Sequence, residues 1–138
     1  MSAAISSTTT AKTTRLTLGV ISGALFALLA YLLMGLPSGP PSTIPYQDKI
    51  EHIIAFAGVT GPGLLALSRR YWFFWIAHMV VFGAGTEIFQ GLMSAHRQAS
   101  GWDFLADCVG IAAATLVANY LRRWTFERPN RVLAGRLS

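Results

Sequence analysis

The sequence predicts an all-α integral membrane protein, a four-helix bundle with short connections and both termini in the cytoplasm. Three observations carry this. The 138 residues are 53% hydrophobic and only 12% charged, with a mean hydropathy of +0.47, whereas soluble domains carry about 25% charged residues. The apolar residues gather into segments that approach the ~20 residues needed to cross a bilayer core. The basic residues flank those segments instead of forming a stripe, so the net charge of +5 reads as topology, and nucleic acid is set aside as a partner. The length allows one domain. The single cysteine, Cys108, excludes an internal disulfide and lies in an apolar run, where it packs.

Residues 1–14 are rich in Ser, Thr and Ala, lack an apolar period, and read as a disordered cytoplasmic tail. The domain proper covers 15–123, with helices over about 16–36, 50–67, 71–93 and 102–121, and 124–138 form a basic cytoplasmic tail. The 21-residue run of the first helix follows Lys12 and Arg15 and exceeds a signal-peptide core of about 7–15 residues. Gly19, Gly23 and Ala27 recur every fourth residue, a small-residue ridge suited to close helix packing. Four prolines between Pro37 and Pro45 end it.

The second helix opens with Asp48-Lys49-Ile-Glu51-His52, and its apolar part is only 15 residues long. Asp48 suits a helix N-terminus and lies four residues before His52, which it is placed to orient. Gly58, Gly61, Pro62 and Gly63 predict a kink. After the tight Ser68-Arg69-Arg70 turn, the third helix begins with the aromatic belt Tyr71–Trp75 and carries Gly83, Glu87 and Gln90 on one face. His78 falls on another face. The fourth helix aligns Asp103, Asp107, Gly110 and Ala114.

Lys12, Arg15, Arg69, Arg70 and the five arginines after Leu121 fall on one side of this arrangement, and only Lys49 and Arg97 on the other. The positive-inside rule then places both termini in the cytoplasm and collects every polar group named above at the outer ends of helices two, three and four. Ionisable groups in such segments are costly, about 2.5–3.5 kcal/mol each at a membrane centre on insertion scales, so their convergence marks a site.

Two stretches carry a family resemblance. Asp48-Lys49-x-x-His52 opens one helix, and Glu87-x-x-Gln90-x6-Arg97-x-x-Ser100-x-x-Asp103-x3-Asp107-x-x-Gly110 joins two others. Over about residues 45–115 the chain resembles the VanZ-like family of small bacterial membrane proteins. One departure is Asp107, where that family usually has Asn, so this chain has an extra carboxylate beside Asp103. The resemblance implies a multi-pass protein of the bacterial inner membrane linked, through the founding member, to glycopeptide (teicoplanin) resistance. It does not imply a reaction.

The residues leave three functions open. In the first, an envelope protein binds an anionic amphiphile or cell-wall precursor at the outer leaflet and acts on it chemically. Lys49 and Arg97 hold its phosphate or carboxylate, with Asp48, Gln90, Ser100 and Asp107 as further binding groups. Glu87, His52 and Asp103 are the candidate acid–base groups. Glu87, Asp103 and Asp107 also form a carboxylate trio able to take Mg²⁺ or Ca²⁺, neither of which the sequence requires, and no dedicated metal motif is present. With no nucleophile motif, enzyme status stays open. The second function is a small transporter or proton relay, and the third a structural or partner-binding protein whose ion pairs set helix register. In each, His52, Glu87, Gln90, Arg97 and Asp103 are expected to be neighbours, with Lys49 at the rim.

Overall fold

The computed structural model describes residues 2–34, 45–93 and 99–124. These form four α-helices and one 3-10 turn, with no strand among the described residues: α1 (Ser2–Met34), α2 (Gln47–Ala66), the turn Arg69–Tyr71, α3 (Trp72–Met93) and α4 (Gly101–Arg122). Three stretches are long and apolar enough to cross a membrane, Thr10–Met34, Arg69–Leu92 and Gly101–Arg122. Their outward faces carry large exposed side chains such as Leu16, Val20, Phe73, Phe74, Val81, Leu92, Leu116 and Val117. An apolar surface on this scale suits hydrocarbon and not water.

α2, expected as the fourth span, is a helix but is not in that apolar set. Its first two turns hold Asp48, Lys49, Glu51 and His52, and while Ile50, Ile54 and Gly58 stay exposed, its other side is covered by protein. It packs most extensively on α4, then on α1, and also meets α3. Its buried face is His52, Phe56, Val59, Thr60, Gly63 and Leu64, the three-and-four spacing of a core-facing stripe. α2 continues through Pro62 to Ala66. Position 63 must be glycine, because a Cβ there would sit 2.5 Å from the Trp75 indole nitrogen, whose N–H donates to the Thr60 carbonyl at 3.3 Å.

Two expectations for α1 are overturned. Residues 2–14 continue the helix instead of forming a disordered tail. Threonine hydroxyls there bond back one turn, Thr14 to Thr10 at 2.9 Å and Thr17 to Thr13 at 3.1 Å, so the polar side chains are satisfied within the helix, with no apolar period to announce it. Of the Gly19/Gly23/Ala27 ridge only Gly19 borders α2, where a Cβ would lie 3.7 Å from the Ala66 Cβ, an ordinary contact. All three are exposed, and a Cβ at Gly23 would meet nothing within 4 Å. α1 instead packs through Ser22, Leu25, Phe26, Leu29 and Leu33, with the Ser22 hydroxyl donating to the Val59 carbonyl at 2.8 Å. Bulky side chains fill that seam, so no close backbone approach is needed there.

Close approach occurs between α2 and α4. A Cβ on Gly110 would collide with the Ile53 carbonyl oxygen and lie 3.1 Å from the Ile53 carbonyl carbon. The two helices are also tied at their far end, where the Arg122 guanidinium donates to the Leu67 carbonyl at 2.7 Å and Arg69 donates to the Asn119 side chain at 2.7 Å. Trp72 lies between these two arginines, 5.2 Å from Arg69 and 5.7 Å from Arg122. The helix ends therefore segregate charge: arginines gather at one end, carboxylates at the other.

Candidate functional site at the acidic helix ends

The acidic end is where α2 and α4 begin and α3 finishes. α1 also finishes there, since the Gln90 amide donates to the Leu33 carbonyl at 3.0 Å. Residues three or four apart on a helix stack one above the other. Lys49 therefore stands one turn above His52, and Asp103 one turn above Asp107, which makes two layers.

The rim layer is a clamp on Lys49. Its ammonium donates to Asp48 Oδ2 at 2.7 Å and to Asp103 Oδ1 at 2.8 Å. Lys49 is about a quarter exposed, Asp103 less, and Asp48 more than half. The Asp103 and Asp48 carboxylates together push the Lys49 ammonium up to about 12 from 10.5. In return Lys49 holds the Asp48 carboxyl below its usual 3.8. Both groups precede the apolar part of α2.

The inner layer is buried. His52 Nδ1 lies 2.7 Å from Asp107 Oδ1, with His52 7% and Asp107 0% exposed. Glu87 joins them from α3: one ligand-capable atom from each of His52, Glu87 and Asp107 falls within 4.8 Å of the others. Glu87 Oε2 accepts the Ser100 backbone N–H at 2.8 Å. The Ser100 hydroxyl caps α4 by accepting the Asp103 N–H at 3.2 Å. Ser100 therefore fixes both the start of α4 and the position of Glu87. Two oxygens in this layer, Glu87 Oε1 and Asp107 Oδ2, are buried without a hydrogen-bond partner among the described residues. Asp107 Oδ2 faces Gly83, where a Cβ would come within 2.9 Å of it.

All three inner residues lie at one depth. Glu87 is six residues from Met93 and Asp107 six from Gly101, which is roughly 9 Å along each helix. Further in, Phe56, Val59, Met79 and Ile111 form an apolar layer with Leu29. His78 is remote from the site, its ring 5.2 Å from Phe26 and 5.6 Å from Trp75.

The expected neighbourhood is corrected in three respects. His52 is oriented by Asp107 and not by Asp48, because the adjacent Lys49 captures the Asp48 carboxylate. Asp103 sits in the rim layer with Lys49, so the carboxylate trio Glu87–Asp103–Asp107 is replaced by His52–Glu87–Asp107. Gln90 is buried on the expected face of α3 but reaches α1. Arg97 lies outside the described residues. Thr86, fully buried one residue before Glu87 with its hydroxyl on the Gly83 carbonyl at 2.8 Å, was not singled out by sequence; the three-residue step back to Gly83 was the available signal. No family model, curated protein or solved structure matches the chain.

Proposed function

We propose that this is a multi-pass protein of the bacterial inner membrane, similar to the VanZ-like family, whose acidic helix ends face outward and bind an anionic amphiphile or cell-wall precursor. The segregation of Arg69, Arg70 and Arg122 to the opposite end supports cytoplasmic termini. The observation that carries the reading is the two-layer site. A lysine at the rim, held by two carboxylates, stands over a buried His52–Asp107–Glu87 cluster. An incoming phosphate or carboxylate competes with Asp48 and Asp103 for Lys49 and delivers its attached group to the inner layer. A carboxylate-oriented imidazole beside a second carboxylate is equipped for proton transfer, and that is the chemistry such a site would perform on its ligand.

A transporter is disfavoured by the apolar layer of Phe56, Val59, Met79 and Ile111 beneath the cluster. A purely structural role leaves the two unpartnered oxygens of Glu87 and Asp107 without a reason. Lipid mass spectrometry of protein extracted from bacterial membranes tests the reading. A co-purifying anionic amphiphile is expected with the wild type and should be depleted in Lys49→Ala. In cells, Lys49→Ala and Glu87→Gln should abolish any teicoplanin resistance the chain confers, at unchanged levels of folded protein. Equal lipid recovery and equal resistance in the variants would refute it.

A further inference from the structure

We propose that His52, Glu87 and Asp107 hold one divalent transition-metal ion of the Zn²⁺ class where α2, α3 and α4 meet. Three buried side chains from three helices each bring a ligand atom to within 4.8 Å of the other two. Tetrahedral Zn²⁺ bonds of about 2.0–2.2 Å to nitrogen or oxygen put the ligand atoms about 3.4 Å apart. The 2.7 Å between His52 Nδ1 and Asp107 Oδ1 is a hydrogen-bond distance that opens by about 0.7 Å to admit the ion. A metal replaces the proton they share, and Glu87, within 4.8 Å of both, closes toward them to complete the set.

A second observation points to a ligand independently. Glu87 Oε1 and Asp107 Oδ2 are buried carboxylate oxygens with no donor among the described residues, in side chains only 6% and 0% exposed. Carboxylate oxygens accept and cannot donate. The one nearby described ammonium, on Lys49, is committed to Asp48 and Asp103. A dication answers both oxygens at once. Gly83 leaves the space, since any side chain there would press on Asp107 Oδ2.

Ligand chemistry selects the metal. Imidazole suits Zn²⁺ and its transition-metal neighbours. Ca²⁺ asks for six to eight oxygens, and Mg²⁺ for a near-ideal octahedron that keeps several waters. One nitrogen and two carboxylates in a dry inner layer match neither. Three protein ligands leave a coordination position for water or an anionic oxygen. The ion would take His52, Glu87 and Asp107 out of the proton-transfer role and leave the anion-binding reading at Lys49 in place; it is tested without any lipid ligand, so either can fail alone.

The test uses the full chain in detergent, purified on a histidine-free tag, stripped with chelator and titrated with Co²⁺ as a spectroscopic stand-in, then with Zn²⁺. One equivalent of Co²⁺ should give a visible ligand-field band that Zn²⁺ removes and that excess Mg²⁺ or Ca²⁺ does not. Glu87→Gln and Asp107→Asn should each weaken binding about 100-fold or more, while His78→Gln and Cys108→Ser, which remove potential ligands outside the cluster, keep one equivalent. Circular dichroism checks that each variant is helical; should Asp107→Asn fail to fold, the near-isosteric Glu87→Gln decides. A wild type with no Co²⁺ band overturns the proposal. So does an undiminished band in folded Glu87→Gln, or equal displacement by Mg²⁺.

Discussion

A methyl group at position 110 tests the packing that builds the site. Gly110→Ala would place a Cβ against the Ile53 carbonyl oxygen and 3.1 Å from both its carbonyl carbon and its Cα. All three obstacles are backbone of α2, so no side chain can rotate away. Restoring ordinary contacts requires α4 to retreat by roughly half an ångström or more. Overpacking typically costs about 1–3 kcal/mol, and rigid backbone puts this case at the upper end. Alanine's better helix propensity returns about 1 kcal/mol, leaving a net loss of about 2 kcal/mol. Gly23→Ala is the matched control. It lies in a helix with nothing within 4 Å of its Cβ, so it keeps the propensity gain without the clash. The difference between the variants, about 3 kcal/mol, isolates the steric cost. Unfolding in mixed micelles by denaturing detergent, followed by circular dichroism, measures both. Equal stability of the two would refute the close α2–α4 approach and, with it, the 2.7 Å pairing of His52 and Asp107 one turn away.

Three further outcomes are expected. The Lys49 clamp should hold across the pH range between its partners' transitions. Because the Lys49 pKa is raised, its contribution is complete below pH 10.5 and is lost as pH rises through about 12. Because that of Asp48 is lowered, its share is complete above pH 3.8 and fails on further acidification. A fluorophore on a cysteine at position 46 should report no clamp transition between those limits, and a transition near neutrality would contradict the pairing. For topology, cysteines replacing Tyr46 and Gly101 should react with an impermeant maleimide on intact cells and one replacing Ser68 should not; the opposite pattern would invert the orientation. Finally, Glu87→Gln should be no less stable than wild type in chelator, since it neutralises a buried carboxylate. Zn²⁺ at 100 times the wild-type dissociation constant should then stabilise the wild type by about 2.7 kcal/mol and the variant by about 0.4 kcal/mol or less; parallel behaviour of the two in thermal unfolding would count against Glu87 as a ligand.

Much of this was legible in the sequence because its periods are strong. The helices over 50–67, 71–93 and 102–121 fall within a few residues of α2, α3 and α4, and the buried positions of Gly83, Glu87, Gln90, Asp107, Gly110 and Ala114 follow from three-and-four spacing. Spacing along one helix says which residues share a face, but not which partner across an interface they reach. Asp48 is well spaced for His52, yet Lys49 next to it is a stronger partner, and the choice of Asp107 depends on how α4 docks. The reach of Gln90 to Leu33 is likewise invisible without the position of α1. The α1 ridge misled for a related reason. Small residues permit close packing without requiring it, and Ser22, Phe26 and Leu29 supplied a competing face. α2 looked like a short span, and its polar start is the part that pairs with α4, through Lys49–Asp103 and His52–Asp107.

The helix directions explain why the charges divide as they do. α2 and α4 present their N-terminal ends to the site, and their dipoles favour the aspartates in their first turns, Asp48 and Asp103. Lys49 stands in that same field with the opposite sign, and two carboxylates rather than one hold it there. Glu87 arrives on α3, which points its C-terminal end this way and offers a carboxylate no such help. What stabilises it comes from α4: the Ser100 N–H, itself at the capped start of that helix, reaches Glu87 Oε2. That donor serves one oxygen. Glu87 Oε1 and Asp107 Oδ2 are left without a donor among the described residues, with Ser100 N–H and the lysine already engaged. These two oxygens are the reason for placing the proposed divalent ion among His52, Glu87 and Asp107.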